Sequence, residues 1–348
     1  MSWTLDTEFI EPTALTAVIR EALADLQINR FTLSRWLPNV EIDDIVFDFT
    51  TGGGGLAEAS VYRSWDAESR IGRREGLSKV MGELPPISEK IVLNEYDRLR
   101  LRKLDNPDAL PFLVRDAERL ATNIAARFEV ARGQALVNGS VPVDELQQTI
   151  SFGRSGSHSV VAATLWSDHT NATPIDDLES WVQTYVDTNG QAPGITLMSR
   201  QVVQNMRQCT QMIRQVFPLA PTGVSPMISR DQLNAVLESM DLPPIEIYDA
   251  QVKVDGSTTR ITPSNSLALL PPPGATDATA PTDLGATLLG TTAESQEPEY
   301  GLAPGEQAGI VAGMWKTKDP VRLWSHAAAI GIPIVREPNL TFKAQVLA

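Results

Sequence analysis

Residues that could coordinate a metal ion or act as nucleophiles are sparse and scattered along this 348-residue chain. Cys209 is the single cysteine, and the three histidines are His158, His169 and His326. A structural zinc site needs about four cysteine and histidine ligands at short, regular spacings, and this chain has no such set. One cysteine also cannot form an internal disulfide, which is typical of a reducing compartment. The sequence therefore predicts no metal site.

Three short motifs resemble parts of catalytic sites without completing one. Ser157 beside His158 could be half of a nucleophilic triad, but no G-x-S-x-G elbow or third member accompanies it. Asp168-His169 could serve acid–base chemistry, yet we interpret it as an exposed loop pair. Asp176-Asp177 follows a proline at a predicted helix start, where the helix dipole stabilises acids. We therefore expect no catalytic residues and no enzyme activity.

A glycine run precedes a long charged stretch. Gly52-Gly53-Gly54-Gly55-Leu56-Ala57 follows a predicted strand and satisfies a G-x-G-x-x-A dinucleotide pattern. A crossover helix should follow such a loop, and the next residues do not form a convincing one. We interpret the run as a hinge at the base of a hairpin and expect no cofactor. A nucleotide-dependent α/β enzyme remains an alternative.

Two clusters of cations follow the glycine run in a chain whose formal charge is −14. The first, Arg63 to Lys79, has five cations against three acids, and the second lies around Arg98 to Lys103. Such runs are usually solvated, but these could pair with acids on a neighbouring copy and set its register. An apolar cluster around Trp36 is expected either to pack on the body of its own chain or to be held by another subunit, and the sequence leaves both alternatives open. The residues predicted on this basis to lie between subunits are Trp36, Asp43, Asp44, Asp48, Arg63, Arg70, Arg73, Arg74, Lys79, Arg98, Arg100 and Arg102.

Hydrophobic periodicity predicts the elements that position these residues. A helix begins near Pro12 and closes near Asp25, and a strand covers Ile42–Phe49. A long two-stranded excursion with little core of its own then extends to about Leu101. A hairpin alone is marginal in water, so this excursion needs a partner surface. A long helix spans Pro111 to Asn138, where Asn138-Gly139 stops it.

Shorter elements follow the long helix. Helices begin at Pro174, Ser199 and Ser229, the last with Gln232 in a capping box. Strand patterns recur to the C-terminus, and residues 271–283 form a proline- and threonine-rich loop. Much of the chain is therefore predicted to lie in projections that have little core of their own, which favours self-association.

Composition excludes several classes of protein. The apolar share of 42% and charged share of 21% are typical of a globular chain, with length for about two domains. No apolar run approaches the roughly 18 residues that span a bilayer, and the N-terminus lacks a secretory signal. A pI near 4.7 argues against a surface that grips nucleic acid strongly.

The chain resembles the lambda-type (protein E) major capsid protein family of tailed bacteriophages over nearly its whole length, and the resemblance is most specific near the C-terminus. The resemblance is carried by residues 315–322 (WKTKDPVR), 332–335 (IPIV), 337–339 (EPN) and 344–348 (AQVLA). Leu33 to Asn39 is similar to the early arm of the family, and the helix ending at Asn138-Gly139 is similar to its spine helix. Trp166 to Tyr185 resembles the beginning of its axial domain.

This resemblance implies an α+β, HK97-like major capsid protein fold. Its parts would be an N-arm, an extended loop (E-loop), a peripheral domain with the spine helix, an axial domain, return strands of the peripheral domain and a C-terminal segment closing on the axial domain. In that order they would occupy residues 1–45, 46–105, 106–155, 156–305, 306–335 and 336–348.

The family also implies a function and partners. Copies of the chain would form pentamers and hexamers of an icosahedral shell around double-stranded DNA, which the acidic chain would contact weakly. A separate scaffold protein, a portal and a decoration protein are further expected partners, and no membrane is involved. Assembly is expected in the host bacterial cytoplasm, and the final location is the virion capsid. An encapsulin nanocompartment shell is the alternative with the same fold.

Overall fold

The computed structural model describes residues 10–51, 78–96, 106–143, 147–218, 228–254, 256–275, 280–303 and 306–348. The helices are α1 Pro12–Asn29, α2 Asn106–Asn138, α3 Pro174–Asn189, α4 Arg200–Gln208, α5 Thr210–Val216, α6 Arg230–Ser239 and α7 Ala293–Gln296. The strands are β1 Asn39–Glu41, β2 Val46–Thr51, β3 Ser78–Glu83, β4 Pro86–Leu93, β5 Ser140–Val143, β6 Gln148–Ser151, β7 Ser159–Val161, β8 Ile195–Met198, β9 Ile245–Ile247, β10 Gln251–Val254, β11 Ser257–Arg260, β12 Ser266–Leu270, β13 Gly285–Gly290, β14 Val311–Lys318, β15 Val321–Val335 and β16 Phe342–Gln345.

Helix α2 is the predicted long helix, and it begins at Asn106, five residues before the predicted start. Its 33 residues make a rod of about 50 Å. One stripe, including Leu120, Ile124 and Phe128, is buried at the helical spacing that the sequence shows. Gly139 ends the helix with φ +69°, a backbone conformation that glycine adopts without strain.

The first sheet lies against α2 and contains β1, β4, β13, β14 and β15. Strand β15 organises this sheet, because its 15 residues pair antiparallel with β14, β13 and β4 in turn. Leu323, Ser325, Ala327 and Ala329 alternate along β15 and are all buried. Strand β1 pairs parallel with β13 at the far side of the sheet.

Helix α1 packs on its own chain, against α2 and β14. Leu15 and Ile19 are buried, and the Thr16 hydroxyl lies within hydrogen-bonding distance of both the backbone N–H and the carbonyl oxygen of Ala312. The predicted start at Pro12 is confirmed, and the helix continues to Asn29, past the predicted end near Asp25. Helix α1 therefore belongs to the body of the protomer.

The second sheet has the strand order β7-β16-β12-β8-β9, and helices α3 to α6 lie in the sequence between its strands β7 and β9. All five residues of β12 are buried, as expected for a central strand with an uninterrupted apolar sequence. The C-terminal strand β16 lies between β7 and β12, so the chain ends inside this sheet. The predicted capping box of Ser229 and Gln232 is confirmed at the start of α6.

Strands β2 and β3 pair antiparallel with each other and with no other strand in the described part of the chain. The predicted excursion is wrong in its second half, because β4 is a member of the first sheet and pairs with β15 from Leu93 to Pro86. Ile87, Ile91 and Leu93 alternate with polar residues because one face of β4 packs on the core of this sheet. Within the described residues, the part of the predicted excursion that lies outside this sheet therefore consists of β2 and β3.

Candidate self-assembly site

Of the residues predicted to lie between subunits, Trp36 is the one that the structure corrects. Its side chain is 1% exposed within its own chain, and Nε1 donates to Pro271 O at 2.8 Å. The guanidinium of Arg35 lies 4.9 Å from the Trp36 ring centroid, and the Thr282 hydroxyl donates to Trp36 O at 2.6 Å. Trp36 thus anchors the proline-rich loop to the body and has no surface left for a neighbour.

The predicted acids lie before and along β2. Asp43 and Asp44 are exposed, and Asp44 Oδ1 accepts from the Val46 N–H at 3.1 Å, which turns the chain into the strand. Asp48 lies on β2 opposite Met81, and Lys79 lies on β3 opposite Thr50. The structure describes the backbone of Asp48 and Lys79 but not their side chains.

The remaining predicted cations, Arg63, Arg70, Arg73, Arg74, Arg98, Arg100 and Arg102, lie outside the described residues. Their pairing with acids of a neighbouring copy therefore stays a prediction.

An exposed apolar patch marks the base of the β2–β3 hairpin. Ile45 is 53% exposed, Val46 43% and Met81 63%. The register pairs Val46 with Glu83 and Asp48 with Met81, and side chains alternate along a strand, so Val46 and Met81 share one face. The other face is anchored, because Phe47 is buried and its ring lies over Gly82. Sequence reasoning looked for charges here and missed this apolar patch, although the sequence Ile45-Val46 contains it.

A buried ion pair on α2 holds together several segments that are distant in sequence. Glu129 and Arg132 of α2 are both buried and form an ion pair at 3.1 Å. Glu129 Oε1 also accepts from Leu33 N at 2.9 Å and from the Tyr248 hydroxyl at 2.7 Å. Burial, together with the Glu129 carboxylate, raises the pKa of Tyr248 far above its usual value.

The same cluster extends to β13, to the start of β1 and to the segment before it. Arg132 Nε donates to Thr287 Oγ1 at 2.9 Å, and Arg132 also donates to Asn39 Oδ1. The Thr287 hydroxyl donates in turn to Leu37 O at 2.9 Å. Four segments distant in sequence are therefore held by one charged pair. We define Glu129, Arg132, Tyr248, Thr287 and Asn39 as the central polar cluster.

The end of α2 is held by a cation on the next segment. Arg154 donates to Val137 O at 2.8 Å and to Leu136 O at 3.3 Å, two carbonyls that the helix leaves without partners. Burial lowers the pKa of Arg154 to about 10. His158 lies nearby and is buried, with Nδ1 3.3 Å from Thr341 O and Nε2 3.0 Å from the Thr188 hydroxyl. These contacts fasten α2 to the C-terminal segment.

The motifs that resembled parts of catalytic sites have structural contacts. Asp177 Oδ2 accepts from Trp166 Nε1 at 2.9 Å, and burial raises the pKa of this carboxyl. Ser157 bonds to Ser155 rather than to His158. Burial raises the pKa of the Cys209 thiol to about 12, so the thiolate is scarce at neutral pH.

The described residues contain no group of three or more His, Cys, Asp or Glu side chains placed to hold a metal ion. None of the helices in this part of the chain has the length and hydropathy of a membrane span. The glycine run at 52–55 lies outside the described residues.

Comparisons with known proteins agree with the resemblance that the sequence shows. The family described as phage major capsid protein E matches residues 13–346. No curated protein matches the sequence.

Solved structures share the fold at low identity. A prophage protein of E. coli CFT073 described as a capsid protein has TM-score 0.64 and 12% identity, with 97% of this chain and 99% of that chain covered. A phage-related protein from Bordetella bronchiseptica RB50 has TM-score 0.57 and 12% identity over 99% of this chain and 98% of that one. The capsid of a native GTA particle has TM-score 0.52 and 10% identity over 91% and 90%.

These likenesses confirm the expected α+β, HK97-like capsid fold. The family match favours a phage capsid over an encapsulin shell. Because that match spans nearly the whole chain, the protein belongs to the phage major capsid protein E family and functions in a capsid shell.

Proposed function

We propose that copies of this chain form the pentamers and hexamers of an icosahedral phage shell, and that the β2–β3 hairpin is a principal contact between copies. The observation that carries the proposal is the hairpin itself. It pairs with no other strand in the described part of the chain, yet it bears the exposed Ile45, Val46 and Met81 at its base. An isolated hairpin with exposed apolar side chains gains stability when a second copy covers it.

We also propose which residues form each part of the capsid fold. Residues 1–45 form the N-arm, within which α1 is packed on the body, and 46–105 contain the E-loop, with 46–83 as its projecting part. Residues 106–155 and 306–335 form the peripheral domain, and 156–305 form the axial domain. Residues 336–348 close on the axial domain, which is supported by the pairing of β16 with β12.

The acidic charge supports the proposed relation to packaged DNA. A subunit at −14 would repel phosphates, so the shell would contain double-stranded DNA without holding it tightly. A scaffold protein, a portal and a decoration protein are further proposed partners. We propose that assembly takes place in the host cytoplasm, and that the role of the chain is structural rather than catalytic.

The experiment compares two residues of equal exposure. Met81 lies at the hairpin base, and Val161 lies on β7 of the second sheet; both are 63% exposed. We expect Met81→Asp to reduce the yield of assembled particles at least tenfold, because a buried charge at the contact is costly. Val161→Asp should have a much smaller effect. Sedimentation and negative-stain electron microscopy measure the yield.

A thermal unfolding scan of the unassembled protomer is the control for folding in this comparison. Both variants should melt within a few degrees of wild type, since both side chains are exposed in the protomer. Equal losses of particles for the two variants would contradict the special role of the hairpin base. Analysis of the contents of wild-type particles distinguishes a DNA-containing capsid from a compartment filled with protein.

A further inference from the structure

An acidic cleft with an aromatic floor lies over the outer face of the first sheet. Its volume is about 730 Å³. Trp315 and His326 line the floor and meet edge to face, with ring centroids 5.4 Å apart. Glu294, Glu297 and Glu299 line the wall, on the segment that contains α7. We name these five residues the acidic cleft.

The wall of the acidic cleft is fixed in place. The Thr292 side chain caps α7 by accepting from Ser295 N, and the buried Tyr300 ring packs directly on Gly313 of β14. A Cβ at Gly313 would lie 2.7 Å from an atom of that ring, so the contact requires glycine. The three glutamates are therefore held beside the sheet by a rigid segment.

The charge of the acidic cleft is not balanced by the residues around it. Glu294, Glu297 and Glu299 form no ion pair with any residue that the structure describes, and Glu297 and Glu299 are exposed. Among the described residues, Lys90 is the single lysine or arginine that lines the cleft, and its ammonium lies 4.9 Å from the ring centroid of Trp324. Glu89 also lines the cleft, and its carboxylate accepts a hydrogen bond from the Asn123 side chain of α2 at 2.8 Å. The cleft therefore offers several carboxylates next to aromatic rings.

We propose that the acidic cleft binds the arginine-rich run Arg63–Lys79 of a second copy, an inference that rests on the proposed self-assembly. Guanidinium groups stack on aromatic rings and pair with carboxylates, which is the combination that this surface presents. The run has five cations against three acids. The chain between Thr51 and Ser78 has 26 residues, and about 13 residues of any chain can span at most about 43 Å. That length is sufficient to reach another subunit.

A charge-reversal series tests the proposal. Glu297→Lys with Glu299→Lys should lower the yield of particles at least tenfold in 0.1 M salt, and adding Arg73→Glu with Arg74→Glu should restore at least half of the yield. Glu238→Lys with Asp283→Lys changes two exposed acids elsewhere by the same total charge, and should leave the yield within twofold of wild type.

The outcomes separate this inference from the proposed function. If the wild-type chain forms no particles, the proposed function fails. If the wild type assembles but the cleft variant assembles equally well, or the compensating variant gives no rescue, the inference is wrong while the shell function stands. The run could also occupy the cleft of its own chain. In that case the cleft variant would lower the melting temperature of the unassembled protomer by several degrees, and this result too would overturn binding between copies.

Discussion

Glu129 shows how a single residue can hold distant segments of the fold together. Its carboxylate receives hydrogen bonds from Leu33, Arg132 and Tyr248, and all of these lie in the interior. A buried charge pair is a weak source of net stability, but it is costly to break once formed, because the remaining charge is left without compensation. The central polar cluster therefore specifies how the segment before β1, α2 and β13 meet.

We expect the loss in free energy of unfolding to be larger for substitutions in the central polar cluster that leave a buried charge unpaired than for those that remove a single hydrogen bond. We expect Glu129→Gln to lower the free energy of unfolding by about 3–5 kcal/mol, because Arg132 then stays buried without its partner. Tyr248→Phe removes one hydrogen bond to a carboxylate and should cost about 1.5–3 kcal/mol. Urea denaturation of the unassembled protomer measures both.

Tyr185→Phe is the matched comparison for Tyr248→Phe. The Tyr185 hydroxyl donates to a neutral acceptor, Leu340 O, at 3.1 Å. Loss of this bond should cost only about 0.5–1.5 kcal/mol. A cost for Tyr248→Phe no greater than that for Tyr185→Phe would show that the carboxylate at Glu129 adds nothing to the bond.

His158 should make the stability of the protomer depend on pH. Burial lowers the pKa of its imidazole below the ordinary value of 6.5, and the positive charge of Arg154 lowers it further, while hydrogen bonds to the backbone of Thr341 and Asn339 act in the opposite direction. The unfolded chain therefore takes up this proton at a higher pH than the folded chain. The free energy of unfolding should fall as the pH drops below about 6.5, by about 1.4 kcal/mol for each whole unit separating the two pKa values.

The variant His158→Gln isolates this contribution, because burial also lowers the pKa of His326. Denaturation midpoints between pH 7.5 and pH 5 should decrease less steeply in the variant than in wild type. Identical pH profiles for the two proteins would contradict the assignment to His158.

At the scale of elements, the β2–β3 hairpin depends on a glycine opposite a large ring. A Cβ on Gly82 would lie 2.5 Å from Cζ of Phe47, well inside van der Waals contact. Gly82→Ala should displace the buried Phe47 ring at a cost of about 1–3 kcal/mol, and should lower the yield of particles by distorting the hairpin base.

Gly156→Ala is the control, since no atom lies within 4 Å of its added Cβ and its backbone is unstrained. Particle yields from the two variants, measured by sedimentation, should differ several-fold. If Gly82→Ala assembles as well as Gly156→Ala, the geometry of the hairpin base does not govern assembly.

Local signals predicted several elements well. The periodic apolar stripe and the Asn138-Gly139 stop predicted α2, and the capping box predicted the start of α6, because these features act within one or two turns of helix. Strand β4 was placed wrongly, since alternation shows that one face is buried but not which partner buries it. Its true partner, β15, lies more than 200 residues away in the chain.

The candidate site was predicted less completely than the elements. Exposed Ile45, Val46 and Met81 meet only through the register of β2 and β3, which pattern alone does not set. Trp36 was expected at an interface because it is large and near the N-terminus. Its burial follows from contact with Pro271, more than 200 residues later. The central polar cluster was missed for the same reason, because its residues come from four separate regions.

At the scale of the whole molecule, the described part of the chain combines a firmly packed body with separate two-stranded hairpins, among which β2–β3 has the exposed apolar patch at its base. Strand β16 lies between β7 and β12, and α1 packs against α2 and β14. Both elements therefore contribute to the core of their own protomer. The hairpin is therefore the described part that gains most from a neighbour. Many contacts of modest strength, repeated around a closed shell, give a stable assembly.

Cryo-electron microscopy of particles formed by the purified full-length chain tests this account most directly. We predict closed icosahedral shells in which Ile45, Val46 and Met81 are covered by a second copy. Closed shells that leave this patch exposed to solvent, or a protein that stays monomeric at high concentration, would contradict it.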